Sequence, residues 1–170
     1  MNQISQALHS AGAVHPPRLR PPRVAIVASG WHADIVSNAI DGIRNEFARA
    51  GLPAEALRVF QVPGAFEIPL HVKRLAGSGR FDAIIACGLV VNGGIYRHEF
   101  VASAVIDGLM RVQIETDTPV FSAVLTPRDF HEHAEHQAFF REHFTKKGIE
   151  VGSACLATLA SLDSLPFAVA

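Results

Sequence analysis

Cysteine is scarce. Of 170 residues only Cys87 and Cys155 are cysteines, and each sits inside an apolar run. That placement reads as two buried small hydrophobes in a reducing compartment, and it excludes a disulfide framework. Excess charge of either sign is also missing. Lys plus Arg number 15 and Asp plus Glu 16, a net charge of −1, so electrostatics give no case for a nucleic-acid partner or an anionic membrane. Nine histidines make that balance sensitive to mild acid. No apolar run approaches the length that spans a bilayer. The N-terminus lacks a charged segment followed by an apolar core, so no secretory signal is expected and the cytoplasm is the expected location. Common site signatures are absent as well. "ASGWHAD" stands where a GxGxxG would follow the first strand, and neither a Walker loop nor a GxSxG elbow occurs. "HEHAEH" (131–136) fails the HExxH pattern, because Glu135 takes the second histidine's place. His133 and His136 are three apart and could share a ligand, but a solvated polar helix face is the simpler reading, and no metal is expected.

What is present is ordinary globular material: 49% apolar and 18% charged residues, in a length that suits one domain with a sizeable core. Residues 1–22 read as an extended arm, since the four prolines of "HPPRLRPPR" cannot continue a helix or serve a central strand. The domain proper is expected over 23–170. Within it the hydrophobic period alternates. "RVAIVA" (23–28), "LRVFQV" (57–62), "DAIIACGLVV" (82–91) and "PVFSAVL" (119–125) read as strands. Helical spacing is expected over 34–50, stopped by Gly51 and Pro53, and again from "PGAFEIP" through Leu75. Further helices are expected over 100–115, over 131–147 (ended by Gly148), and over 149–162. Continuous apolar strands alternating with helices predict an α/β fold: a parallel sheet with helices on both faces.

Such sheets bind ligands beyond the carboxyl ends of their strands. Four segments occupy that edge: "SGWH", "PGAFE", "NGGIYRHE" and "TPRDFH". Trp31 is either a surface-capping aromatic or a stacking wall for a flat ring. In "VPGAFEIP", Gly64 permits positive φ and close ligand approach, and Glu67 suits a helix N-terminus or a ligand's donors. The glycines of "NGGIYRHE" free backbone N–H groups for an anion, with Arg97 or His98 beside it. A capping loop explains the glycines equally but not the adjacent Arg and His. Cys87, inside a strand, reads as packing and not as a nucleophile.

"VPGAFEIP", the aromatic after strand one and the GG-x-x-x-H loop after strand three resemble the lumazine synthase family, with similarity running from about Arg23 to Leu162. "VVNGGIYRHEFV" and "PVFSAVLT" are similar to its second type. The resemblance implies a flavodoxin-like three-layer αβα sandwich with a four-stranded parallel sheet. It implies an enzyme that condenses 5-amino-6-(D-ribitylamino)uracil with 3,4-dihydroxy-2-butanone 4-phosphate. The products are 6,7-dimethyl-8-ribityllumazine, phosphate and water, at the penultimate step of riboflavin synthesis and without a cofactor. It further implies a homo-oligomer of pentamers, in the second type a decamer, with sites between subunits. The stacking aromatic falls on Trp31, and pyrimidine and ribityl contacts fall on Ala65, Phe66, Glu67, Leu89, Val90 and Val91. The phosphate cradle falls on Gly94 and Ile95, and the neighbour's phenylalanine on Ser122. The phosphate-binding arginine falls on His136. The catalytic histidine falls on Arg97 without a gap, or on His98 with one extra residue. A lumazine- or flavin-binding protein, or a scaffold of the same fold, is the alternative.

Overall fold

A computed structural model describes residues 20–95, 97–131 and 133–165; the expected arm lies outside them as far as residue 19. Four strands, β1 (Val24–Ser29), β2 (Leu57–Val62), β3 (Ala83–Leu89) and β4 (Val120–Leu125), form one parallel sheet in the order β2-β1-β3-β4. Every residue of β1 and β3 is buried, whereas β2 and β4 are only partly covered. That difference follows from position: the central pair is covered on both faces and flanked on both edges, so it is built mainly of Val, Ile and Ala.

Helices α1 (Ala33–Arg49) and α4 (Ala134–Asp163) cover one face, α2 (Ile68–Ala76) and α3 (His98–Thr116) the other. On the first face Ile35, Ile43, Phe47, Phe144 and Cys155 pack over Ile26 and Ile85. On the second, Ile68, Val72, Val105 and Leu109 pack over Val27 and Ile84. The three-layer sandwich expected from the alternating pattern is therefore present, and strand boundaries agree with the reading to within two residues. Gly51 ends α1 with a positive φ of 75°, as a helix stop should.

One boundary differs. Gly148 does not end a helix. The helices expected over 131–147 and 149–162 are a single one, α4, of 30 residues. Gly148 serves approach instead of termination. A Cβ there would collide with the Ala39 carbonyl oxygen on α1, and a Cβ on Gly42 of α1 would collide with the Thr145 carbonyl oxygen on α4. The two backbones touch because both lack side chains at the crossing. An ion pair between Arg141 and Asp34 (2.6 Å) closes the near end of the same contact and holds the Asp34 carboxyl below its ordinary range.

At the opposite end of the sheet Arg20 grips Asp82 with both terminal nitrogens (2.7 and 2.8 Å), and the Arg23 amide donates to the same carboxylate (2.7 Å). The chain therefore enters β1 tied to the start of β3. On the free rim of β4, the Val120 amide donates to Gln113 (2.8 Å) and the Val124 amide to the Ser122 hydroxyl (3.2 Å).

Candidate active site

The carboxyl ends of β1, β2 and β3 open into one cavity of about 610 Å³. Its walls come from four segments that the sheet brings together. After β1 come Trp31 and His32. After β2 come Pro63 to Glu67. At the end of β3 lie Leu89 to Val91 with Gly93, and His98 and Val101 belong to the start of α3. The parallel order explains the meeting: every strand delivers its C-terminal loop to the same edge.

Each segment has a local reason for its shape. Gly64 is extended (φ −139°, ψ 179°), so the positive φ expected there is not used. Space is the reason for this glycine. A Cβ would meet Glu67 Oε2 at 3.0 Å and the Trp31 ring at 3.7 Å. The Gly64 amide donates to Glu67 Oε2 (2.9 Å), which folds Ala65–Glu67 into a 3-10 turn leading into α2. Glu67 thus takes the helix-start position read from the sequence, with its other oxygen left for a ligand. Trp31 and Phe66 stand exposed at the mouth, at 72% and 64%, while Ala65, Leu89 and Val90 form the buried floor.

Of the residues the sequence singled out, Trp31, Ala65, Phe66, Glu67, Leu89, Val90, Val91 and His98 line this cavity. Arg97, Gly94, Ile95, Ser122 and His136 do not. Arg97 lays its guanidinium over Phe100, 4.5 Å from the ring centroid. His98 is mostly buried and lines a second, shallower cavity of about 360 Å³ as well, shared with Glu99, Ser103, Asp107, Thr126 and Arg128. The Gly94 amide donates to Asn92 Oδ1 (3.0 Å), at a φ of 78° that favours glycine, so that donor already has an internal partner. Ile95 is 88% exposed. Ser122 lies exposed on the edge strand β4.

His136 sits in the first turn of α4. Its Nδ1 accepts the His131 amide (2.9 Å), and its ring packs among Phe130, Phe139 and Phe140. Only Nε2 remains for a ligand, as a neutral donor while that bond holds. Among the described residues no group of three or more His, Cys, Asp or Glu could hold a metal ion. Cys87 is fully buried and burial pushes its thiol up to about 12, which fits a packing role. The sequence reading missed His32 and Val101 as cavity walls, whereas Pro63 and Gly93 lie in loops that it places at this edge. Adjacency to Trp31 was the available signal for His32.

The sequence model of the family described as 6,7-dimethyl-8-ribityllumazine synthase matches residues 21–163. The chain belongs to the 6,7-dimethyl-8-ribityllumazine synthase family. It is similar to the protein of that name from Rhodococcus erythropolis, at 58% identity over 144 residues, 85% of this chain and 93% of the relative. It is 53% identical over 151 residues to the Bradyrhizobium diazoefficiens protein named 6,7-dimethyl-8-ribityllumazine synthase 2, covering 89% and 90%. A protein of the same name from Pseudomonas syringae pv. tomato is 48% identical over 159 residues, covering 94% and 91%. Membership makes the chain a transferase of riboflavin biosynthesis. No helix among the described residues is long and apolar enough to cross a membrane.

Proposed function

We propose that the cavity beside Trp31 is where this synthase joins 5-amino-6-(D-ribitylamino)uracil to 3,4-dihydroxy-2-butanone 4-phosphate. One observation carries this reading: seven residues that the family resemblance assigns to substrate, drawn from three separate segments, line that single cavity together with His98, one of the two candidates for the catalytic histidine. Trp31 offers its face to the pyrimidine, Glu67 accepts from ring or ribityl donors, and Leu89 to Val91 supply an apolar floor. The aromatic amine attacks the ketone, phosphate leaves and a ring closes. Holding the two reactants together supplies on the order of 7–11 kcal/mol of the barrier in favourable intramolecular cases. His98, at the cavity wall, moves protons during these steps, and general acid–base help of this kind adds about 10²–10⁴-fold. Gly94, Ile95 and His136 hold the phosphate end, with Arg97 beside it, and Ser122 faces the cavity of a neighbouring subunit.

The assembly belongs to this reading. Trp31, Phe66 and Ile95 are exposed around the mouth, and α3 presents Phe100, Ile106, Met110 and Ile114 outward. A pentamer, paired into a decamer as in the second type, covers these surfaces. The cytoplasm is the compartment where the reaction runs.

The test mixes the protein with both substrates and follows lumazine fluorescence. Turnover is expected. Quenching of Trp31 by product without turnover supports a binding protein, and neither signal supports a scaffold.

A further inference from the structure

A pyrimidinedione with a ribityl chain brings carbonyl and hydroxyl oxygens that need donors when water is excluded. The side chains lining the Trp31 cavity offer few. Glu67 as a carboxylate only accepts, and its Oε2 already receives the Gly64 amide. Among lining side chains only Trp31, His32 and His98 carry N–H groups. His98 stands on the far wall at the start of α3, in the position proposed above for proton transfer. His32 directly follows Trp31, on the same wall as the stacking face.

Three observations set His32 apart. Its backbone is left-handed (φ 55°, ψ 39°), a conformation that non-glycine residues occupy at a cost and that clusters at ligand sites. Although it caps α1, its side chain makes no capping bond, and among the described residues its ring nitrogens have no hydrogen-bond partner. The ring is nevertheless held: it meets Phe130 edge-on at 5.1 Å, and Phe130 packs on Phe140 at 5.3 Å and His136 at 6.0 Å. A strained backbone thus places His32, its ring fixed against Phe130 and its hydrogen-bonding capacity unspent, among the residues that line the cavity.

We propose that His32 binds the pyrimidine-bearing substrate, donating an imidazole N–H to one of its carbonyl or hydroxyl oxygens while the pyrimidine lies on Trp31. The inference rests on reading this cavity as the substrate site, and it makes His32 a determinant of affinity for one substrate only.

Three variants separate the hydrogen bond from packing and strain. His32→Phe keeps a ring against Phe130 and loses the donor. His32→Gly relaxes the backbone and loses the donor. His32→Asn keeps a donor and tolerates the left-handed turn. The Phe and Gly variants should each raise KM for the aminouracil about threefold to tenfold, the range for one neutral hydrogen bond, with KM for the butanone phosphate unchanged. The Asn variant should stay within about threefold of the parent. Equal damage from all three, or a parallel rise in both KM values, overturns the proposal, as does an unchanged KM in either donor-free variant. Product titration watched through Trp31 tells the two readings apart. If product quenches Trp31 but the donor-free variants bind normally, only the role of His32 fails. If product leaves Trp31 fluorescence unchanged, the site itself is misplaced.

Discussion

Arg97 and His98 are neighbours in sequence and diverge in space. The guanidinium rests on Phe100, while the imidazole lines the cavity. A guanidinium keeps its proton at neutral pH and cannot act as a base, whereas an imidazole can shuttle protons. His98→Ala is therefore expected to lower kcat by up to about a hundredfold, since proximity carries most of the rate. Arg97→Ala should chiefly raise KM for the phosphorylated substrate. Steady-state kinetics on both decide it, and a collapse of kcat in Arg97→Ala alone would reverse the roles. Cys87 gives a second expectation at this scale. Its thiol ionises at about 12 in the folded chain against a reference of 9.0, so above pH 9 the unfolded chain loses the proton first. Stability from this group is intact below pH 9 and falls toward pH 12, by about 1.4 kcal/mol per unit. Urea midpoints of the parent and Cys87→Ala should converge over that window; parallel curves would count against burial of the thiol.

Among the elements, most of the architecture was legible because β1 and β3 are almost wholly apolar runs and the helices keep a 3.6-residue stripe. The α4 boundary was not. A glycine in a helical pattern reads as a stop, and nothing near Gly148 in the sequence reveals that Ala39, more than a hundred residues earlier, lies against it. Gly64 was read as a place for positive φ, but its backbone is extended and the tight neighbour of a Cβ there would be Glu67 Oε2 at 3.0 Å. The site was half legible: single loops announced Trp31, Glu67 and His98, but which side chains share a cavity depends on sheet order. In an exposed helix Gly→Ala gains about 1 kcal/mol. At Gly148 and Gly42 the sign should reverse, because the methyl meets backbone oxygen that cannot rotate away. Each substitution should cost about 2 kcal/mol or more in chemical denaturation. Gly152→Ala, whose Cβ would meet Glu46 Cβ at 3.2 Å and the Ile43 Cα at an ordinary contact distance of 3.5 Å, should be much milder. Equal effects at all three would remove the case for backbone contact.

For the whole molecule, the exposed apolar surface is the main unexplained quantity in a single chain. Ile106, Met110 and Ile114 follow one another at four-residue intervals on α3 at 39%, 57% and 72% exposure, and monomers rarely leave such a stripe uncovered. Light scattering at micromolar concentration should report a pentamer or decamer. Met110→Asp with Ile114→Asp should shift the mass downward and expose the cavity mouth, lowering turnover. A monomeric parent with full turnover would defeat the assembly.

The rim of β4 limits how such copies can meet. In this parallel register the Ile84 amide reaches the Pro119 carbonyl and the Val90 amide the Leu125 carbonyl, so the amides of residues 120, 122 and 124 face away from the sheet. Two of these three are occupied, Val120 by Gln113 and Val124 by Ser122. A foreign strand seeking to lengthen the sheet finds two of the three outward donors already taken by the chain's own side chains. Copies that assemble as proposed would meet along this rim through side-chain surfaces, and the open-ended stacking that turns bare strands into fibres is disfavoured along this edge.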